Sequence, residues 1–263
     1  MKKTLFVLLF LALSLGQAMA WSGLGHQVAV AVAQRHLTDK TKENIARYIA
    51  YDLKEDASWM DRHRRDEEIA FTTYWHSVGI DKNLKYDPNL RHTMLANGDA
   101  VRAFRVGEAT LRDQRYEHMT DSAVVMAIRI LIHCIPDMHC PTHTIFEGKK
   151  HGKDYELKGR QIKSFHSVYD YMPALIWEDK PADEIAAVID NASKREIKKI
   201  VSGSVYDWVE SIAAMNYEIY TWNPAGVERL NPDTVELSTD LVNTQLRDAG
   251  YRLSYILNLY FGK

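Results

Sequence analysis

Cysteine is nearly absent from this chain: Cys134 and Cys140 are the only two in 263 residues, which excludes a disulfide-stapled scaffold. They lie six apart, and on one continuous helix their side chains point in different directions at a separation too long for a disulfide, so two free, buried thiols are expected. An excess of charge of one sign is also lacking. The net charge is −2, and without Lys2 and Lys3 it becomes −4, which excludes a broad electrostatic grip on duplex nucleic acid. Any bound phosphate must be held locally. No Gly/Ser/Pro-rich linker, composition shift or internal repeat divides the chain, so one domain is expected. A Gly-x-Ser-x-Gly elbow, a phosphate-binding glycine loop and a dinucleotide fingerprint are all missing, which sets aside serine hydrolases and nucleotide-dependent enzymes.

What is present begins at the N-terminus. Met1 to Ala20 has two lysines, an apolar run from Leu5 to Leu15, and Gln17-Ala18-Met19-Ala20, the small-x-small pattern cut by a signal peptidase. The apolar run is shorter than the roughly 20 residues that span a bilayer, so a cleaved signal is expected rather than a membrane anchor. The product is a secreted or periplasmic protein beginning at Trp21, with 263 less 20, or 243, residues. Its free amine, titrating near 7.7–8.0, forms a five-membered chelate with its own carbonyl oxygen, and His26 follows close enough to join the same ion. Cleavage would thereby create a metal ligand.

Apolar residues recur at threes and fours along most of the chain. Helices are expected over 22–37, from Thr38 through Ile45, Ile49 and Leu53, over Ser58 to Arg64, 97–113, 122–138, 164–178, 182–193, 195–220 and 233–261. Pro136 should kink the helix that contains it. Residues 80–91 read as a surface loop. Only 147–162, with Gly148, Gly152 and Gly159, reads as strand, in a short hairpin. The fold class is all-α, a single compact helical domain with a short β-hairpin.

The chemistry concentrates in I-H-C-I-P-D-M-H-C-P-T-H, with His133, Asp137 and His143. His26, Asp61 and His76 lie upstream, and the pair His166 and Asp170 repeats the His-x-x-x-Asp step downstream. Four residues apart on a helix means one face, with Cβ atoms about 5–6 Å apart. Zinc takes imidazole nitrogen at about 2.0–2.1 Å and carboxylate oxygen at about 2.0–2.2 Å, so such pairs can grip one ion. Neutral histidine with ionised aspartate is a hydrolytic set, not a zinc-finger set. Cysteine coordination is the competing reading, since both thiols interleave with these ligands, but histidine and aspartate already suffice.

With those residues assembled, the chain resembles the trinuclear-zinc nucleases of the S-one/P-one family, within the zinc phospholipase C/nuclease superfamily. The carriers are W-S-G-L-G-H with Trp21 and His26, S-W-M-D with Asp61, W-H-S-V with His76, the run with His133, Asp137 and His143, S-F-H-S-V-Y-D-Y-M-P with His166 and Asp170, and A-G-Y-R-L near the C-terminus. The resemblance implies three zinc ions. Asp61, His76 and His133 would bind one, Trp21 and His26 a second, with Asp137 bridging these two, while His143, His166 and Asp170 would hold the third.

It also implies a single-stranded RNA or DNA substrate, or a 3′-nucleotide, cleaved to a 5′ phosphate by a hydroxide bridging two zincs. Asp61 would orient its proton, Asp137 would serve both ions, and Arg64 would contact the scissile phosphate. Nothing in the sequence calls for an obligate protein partner. Fungal members of the family carry an aromatic residue and an aspartate as a base clamp, whereas this chain has Ser77 and Gly79 there. Tyr155, Phe165 or Tyr169 would be needed to replace it, and each reads equally well as core. Pro136 stands for a usual glycine, Ser164-Phe165 for Asn-Leu and Tyr169 for a tryptophan.

Six histidines, His36, His63, His92, His118, His139 and His151, fall outside the pattern and read as surface or satisfied polar groups. Trp59, Trp75, Trp177 and Trp208 read as core, and Lys194, Arg195, Lys198 and Lys199 as a solvated helix face. The rivals are a zinc phospholipase C-like enzyme and a non-catalytic exported zinc-binding protein. The first places its first histidine much further from the tryptophan and ends on glutamate, whereas here the gap is five and the last ligand is Asp170.

Overall fold

Twelve α-helices and four short strands follow one another in the computed structural model, which describes residues 21, 23–90, 98–149, 152–178, 180–226 and 229–263. In chain order they are α1 (Gly23–Arg35), α2 (Asp39–Ala46), α3 (Trp59–His63), β1 (Val78–Ile80), α4 (Ala100–Leu111), α5 (Asp121–His139), β2 (Thr144–Phe146), β3 (Lys153–Leu157), β4 (Arg160–Ser164), α6 (Phe165–Asp170), α7 (Met172–Trp177), α8 (Ala182–Ile189), α9 (Lys194–Ile200), α10 (Val205–Asn216), α11 (Ile219–Trp222) and α12 (Thr234–Phe261). The expected mainly helical domain is observed. The segment read as a signal peptide lies outside the described residues, as do His92 and His151.

The centre is built by α5 and α12. Thr120 caps α5 by accepting from Ala123 N, and every residue from Ile130 to His139 is buried. Its apolar side meets the main core through Val124, Ile128, Leu131 and Ile135. Burial of side chains this size stabilises by about 1.5–3 kcal/mol each. A smaller cluster of Met60, Trp75, Ala103, Ile130 and Cys134 covers another side of the same helix. The last turns of α5, which carry His133 and Asp137, are thereby held out of water.

Helix α12 crosses α1 with almost no space between them. A Cβ at Gly250 would sit 2.5 Å from Val32 Cβ and 2.8 Å from Ala29 O, so only glycine permits this approach. The A-G-Y-R-L motif therefore fixes how α1, with His26, lies against the rest.

Several expectations are corrected. The second helix stops at Ala46 rather than reaching Leu53, because Asp52 accepts from Lys54 N and starts a separate 3-10 turn. The stretch 195–220 is three helices, since Ser204 and Asp207 form a capping box that restarts the chain. The stretch 164–178 divides at Tyr171, ahead of Pro173. Helix α5, with Pro136 inside it, ends at His139, one residue beyond the expected bound. The hairpin lies later than expected, with β3 and β4 paired antiparallel, Tyr155 opposite Ile162. A parallel pair was not foreseen: β1 lies beside β2, with Val78 opposite Thr144. Trp75 and Trp208 are core, but Trp59 and Trp177 are only half-buried. Trp59 stacks on His63 and Trp177 donates to Asn243 Oδ1, so their rings are settled by polar neighbours.

Candidate metal centre

His133 and Asp137 occupy one face of α5, with Nε2 and Oδ2 3.2 Å apart. The other nitrogen of His133, Nδ1, donates to Ala57 O at 2.8 Å, which directs Nε2 inward. His76 arrives from the turn before β1, its Nδ1 2.9 Å from Asp137 Oδ2 and 3.0 Å from His133 Nε2. Asp61, on α3, brings Oδ1 to 3.8 Å from His133 Nε2 and 3.9 Å from His76 Nδ1.

The second oxygen of Asp137 faces elsewhere. Oδ1 lies 3.2 Å from His26 Nε2 and 3.4 Å from His143 Nδ1. His26 stacks on His133 with ring centroids 4.2 Å apart, and its Nδ1 lies 2.6 Å from Trp21 O. Trp21 is anchored by its indole N–H, which donates to Pro136 O at 2.8 Å. His26 also groups with Asp61 and His133, one donor atom of each within 4.8 Å of the others.

The β1–β2 pair joins this group to the next. It starts two residues after His76 and one residue after His143, and His143 Nδ1 donates to His76 O. That leaves His143 Nε2 facing Asp170 Oδ1 at 3.6 Å. Ser164 caps α6 by accepting from Ser167 N, and α6 presents His166 and Asp170 four residues apart, with Nε2 and Oδ2 at 3.4 Å. The rings of His143 and His166 stack at 4.6 Å. Cys140 Sγ lies 3.9 Å from Asp170 Oδ1.

The electrostatics of the group are dominated by burial and by its own carboxylate–imidazole pairs. Burial opposes ionisation of Asp137, but His133 and His143 outweigh it and hold its carboxyl well below the usual range. Burial would lower His133 too, yet Asp137 and Asp61 raise it to about 9. His26 is pushed down, first by burial and then by His133, so its ring is neutral and has a lone pair. Asp170 is driven well up by burial, a state that an adjacent cation would reverse.

Seven buried side-chain atoms among the described residues make no hydrogen bond. Six of them are His26 Nε2, Asp61 Oδ2, His76 Nε2, Asp137 Oδ1, His143 Nε2 and Asp170 Oδ2; the seventh is Ser58 Oγ. An unsatisfied buried polar atom costs about 1–3 kcal/mol, so several such atoms on side chains this close together favour something that ligates them, although His76 turns Nδ1 rather than its unpartnered Nε2 to the group. Imidazole and carboxylate donors at these separations fit zinc. Eight of the nine sequence-expected ligands thus converge through side chains, and Trp21 joins through its carbonyl.

Arg64 caps the C-terminal end of α3, half-buried, three residues past Asp61. One of the two base-clamp positions is closed: a Cβ on Gly79 would meet Asp87 O at 2.5 Å, because the 81–90 loop covers it. Tyr155 and Tyr169 are core and unavailable for stacking, while Phe165, also buried, forms one edge of a cleft of about 260 Å³. His166, Thr142, Lys149 and Tyr220 line the same cleft, with Lys149 Nζ 5.2 Å over the Tyr220 ring. A larger cleft of about 690 Å³ beside the β3–β4 turn touches no candidate ligand and is set aside.

Sequence reasoning missed the polar chain behind the site. His139 Nδ1 donates to Gln245 Oε1 at 2.6 Å, Gln245 Nε2 to Asn216 Oδ1 at 2.7 Å, and Asn216 Nδ2 to Thr144 Oγ1 at 2.8 Å. Arg252 Nη1 donates to His139 Nε2 at 3.1 Å. Only the A-G-Y-R-L motif hinted at it, through Arg252. Among the described off-pattern histidines, His36 pairs with Asp190, His63 with Asp66 and His118 is exposed, as expected. None of the curated proteins matches the chain. A family model described as S1/P1 Nuclease matches residues 21–262.

Proposed function

The chain belongs to the S1/P1 nuclease family, and on that premise we propose that it is an exported zinc-dependent phosphodiesterase that cleaves single-stranded RNA or DNA, and 3′-nucleotides, to 5′-phosphate products. The observation that carries this reading is the gathering of buried histidine and aspartate side chains around Asp137 and Asp170, in which His26 Nε2, Asp137 Oδ1, His143 Nε2 and Asp170 Oδ2 make no hydrogen bond. Asp61, His76 and His133 would hold one zinc, Trp21 and His26 a second, and His143, His166 and Asp170 a third. Asp137 would bridge the first two, which its outward-turned oxygens support. When bound, such ions lower the pKa of a shared water toward neutrality and neutralise charge on the phosphate oxygens.

The chain's own residues do the rest. Ala57 O and His76 O take the Nδ1 protons of His133 and His143, which leaves Nε2 of each as the donor. Asp61 orients the proton of the attacking water. Arg64, with its planar fork, grips the scissile phosphate. The cleft beside His166, with Lys149 over Tyr220, suits a nucleotide next to the third ion. Removal of residues 1–20 would free the Trp21 amine and couple export to activation.

The test is zinc per chain by elemental analysis, followed by assays on single-stranded DNA, RNA, 3′-AMP and phosphatidylcholine with and without chelator. We expect about three zincs and chelator-sensitive cleavage of the nucleic acids. Chelator-insensitive cleavage would exclude the zinc mechanism, and activity on the lipid alone would move the assignment to the phospholipase C-like rival.

A further inference from the structure

Cys140 ends α5, its backbone extended (φ −66°, ψ 125°) and its side chain fully buried. Its sulfur lies 3.9 Å from Asp170 Oδ1, and one donor atom each of Cys140, His143 and Asp170 fall within 4.8 Å of one another. A tetrahedral zinc with sulfur at about 2.3 Å and nitrogen or oxygen at about 2.0–2.2 Å places neighbouring ligand atoms about 3.3–3.6 Å apart. His143 to Asp170 is 3.6 Å and His166 to Asp170 is 3.4 Å, and the sulfur, 3.9 Å from Asp170 Oδ1, lies about 0.3 Å beyond that spacing. Independently of the thiol, His143 Nε2 and Asp170 Oδ2 are unpartnered, on side chains only 1% and 3% exposed.

We propose that Cys140 is a sulfur donor to the third ion, alongside His143, His166 and Asp170. This rests on the reading that the third group holds metal. As the metal–sulfur bond forms, the thiol proton leaves to solvent, and the site becomes softer than imidazole and carboxylate alone would make it. A thiol that merely fills space among Trp21, Tyr169 and Met172 occupies the same position but keeps its proton.

Cobalt(II) distinguishes the two. The purified protein is stripped with chelator, reloaded with Co(II), assayed for cobalt per chain, and its near-ultraviolet spectrum is recorded. The expected result is full loading with a sulfur-to-cobalt charge-transfer band, retained in Cys134→Ala and lost in Cys140→Ser. Full loading without the band, or a band that survives Cys140→Ser, overturns the sulfur donor and leaves the metal reading intact. A chain that takes up no cobalt overturns both. Should Cys140→Ser fail to fold, the native and Cys134→Ala spectra still decide: no native band refutes the proposal, and a band unchanged in Cys134→Ala leaves Cys140 as its source.

Discussion

His26 Nε2 and Asp137 Oδ1 lie 3.2 Å apart in a place without solvent, yet neither makes a hydrogen bond. With its Nδ1 turned to Trp21 O, His26 faces Asp137 through a lone pair, as two ligands on one ion would be placed. Since Asp137 Oδ2 meets His76 and His133 instead, this one carboxylate links two groups of donors.

Asp137→Ala should therefore cost more than any other single ligand change. We expect loss of two of the proposed zincs by elemental analysis together with loss of turnover. In the metal-free chain it strands the charge on His133, a loss of about 3–5 kcal/mol in a denaturant melt. Full zinc with normal turnover would refute the bridging role.

Chelation should destabilise the fold as well as silence it. A site saturated about 1,000-fold over its dissociation constant contributes about 4 kcal/mol, or roughly 8–16 °C in Tm for a chain of this size. Calorimetry with chelator, then with zinc restored, checks this; an unchanged Tm would mean that the buried donors hold no metal.

Without metal, stability should fall as pH rises from neutral to alkaline. His133 moves from 6.5 to about 9 on folding, so its contribution, about 3 kcal/mol, is complete below 6.5 and is lost as pH climbs through about 9. Asp170, raised by burial, acts in the same direction, because ionisation opposes its folded state. Zinc should reverse the slope, since ligands must be deprotonated. Urea melts at pH 6 and pH 9, with and without zinc, test the sign, and His133→Gln should flatten the metal-free curve.

Gln245→Leu removes the partner of both His139 Nδ1 and Asn216 Oδ1. Two buried polar groups left unpaired should cost about 2–5 kcal/mol together. A melt within 1 kcal/mol of the parent would show that water or repacking replaces the link.

Gly79→Asp should not restore a base clamp. Its Cβ would collide with Asp87 O, so the 81–90 loop must open at about 1–3 kcal/mol. Faster proteolysis of that loop without a new base preference is the expected result; a gain in preference would show that the loop moves freely.

Two of the candidate metal-binding pairs were legible in the sequence because their geometry is local: His-x-x-x-Asp on a helix sets one face whatever surrounds it, and His133 with Asp137 and His166 with Asp170 stand as that spacing requires. Helical character was legible for the same reason, since apolar periodicity is a property of short windows. Tertiary structure decided what depends on distant segments meeting. The parallel β1–β2 pair, which brings His76 to His143 across 67 residues, leaves no periodic trace in three-residue strands. The closure of Gly79 by a loop, the burial of Tyr155 and Tyr169, and the approach of Cys140 to Asp170 across 30 residues likewise follow from packing. Spacing along a chain fixes which side chains share a face. Only the folded core fixes what that face meets and how far water is kept away.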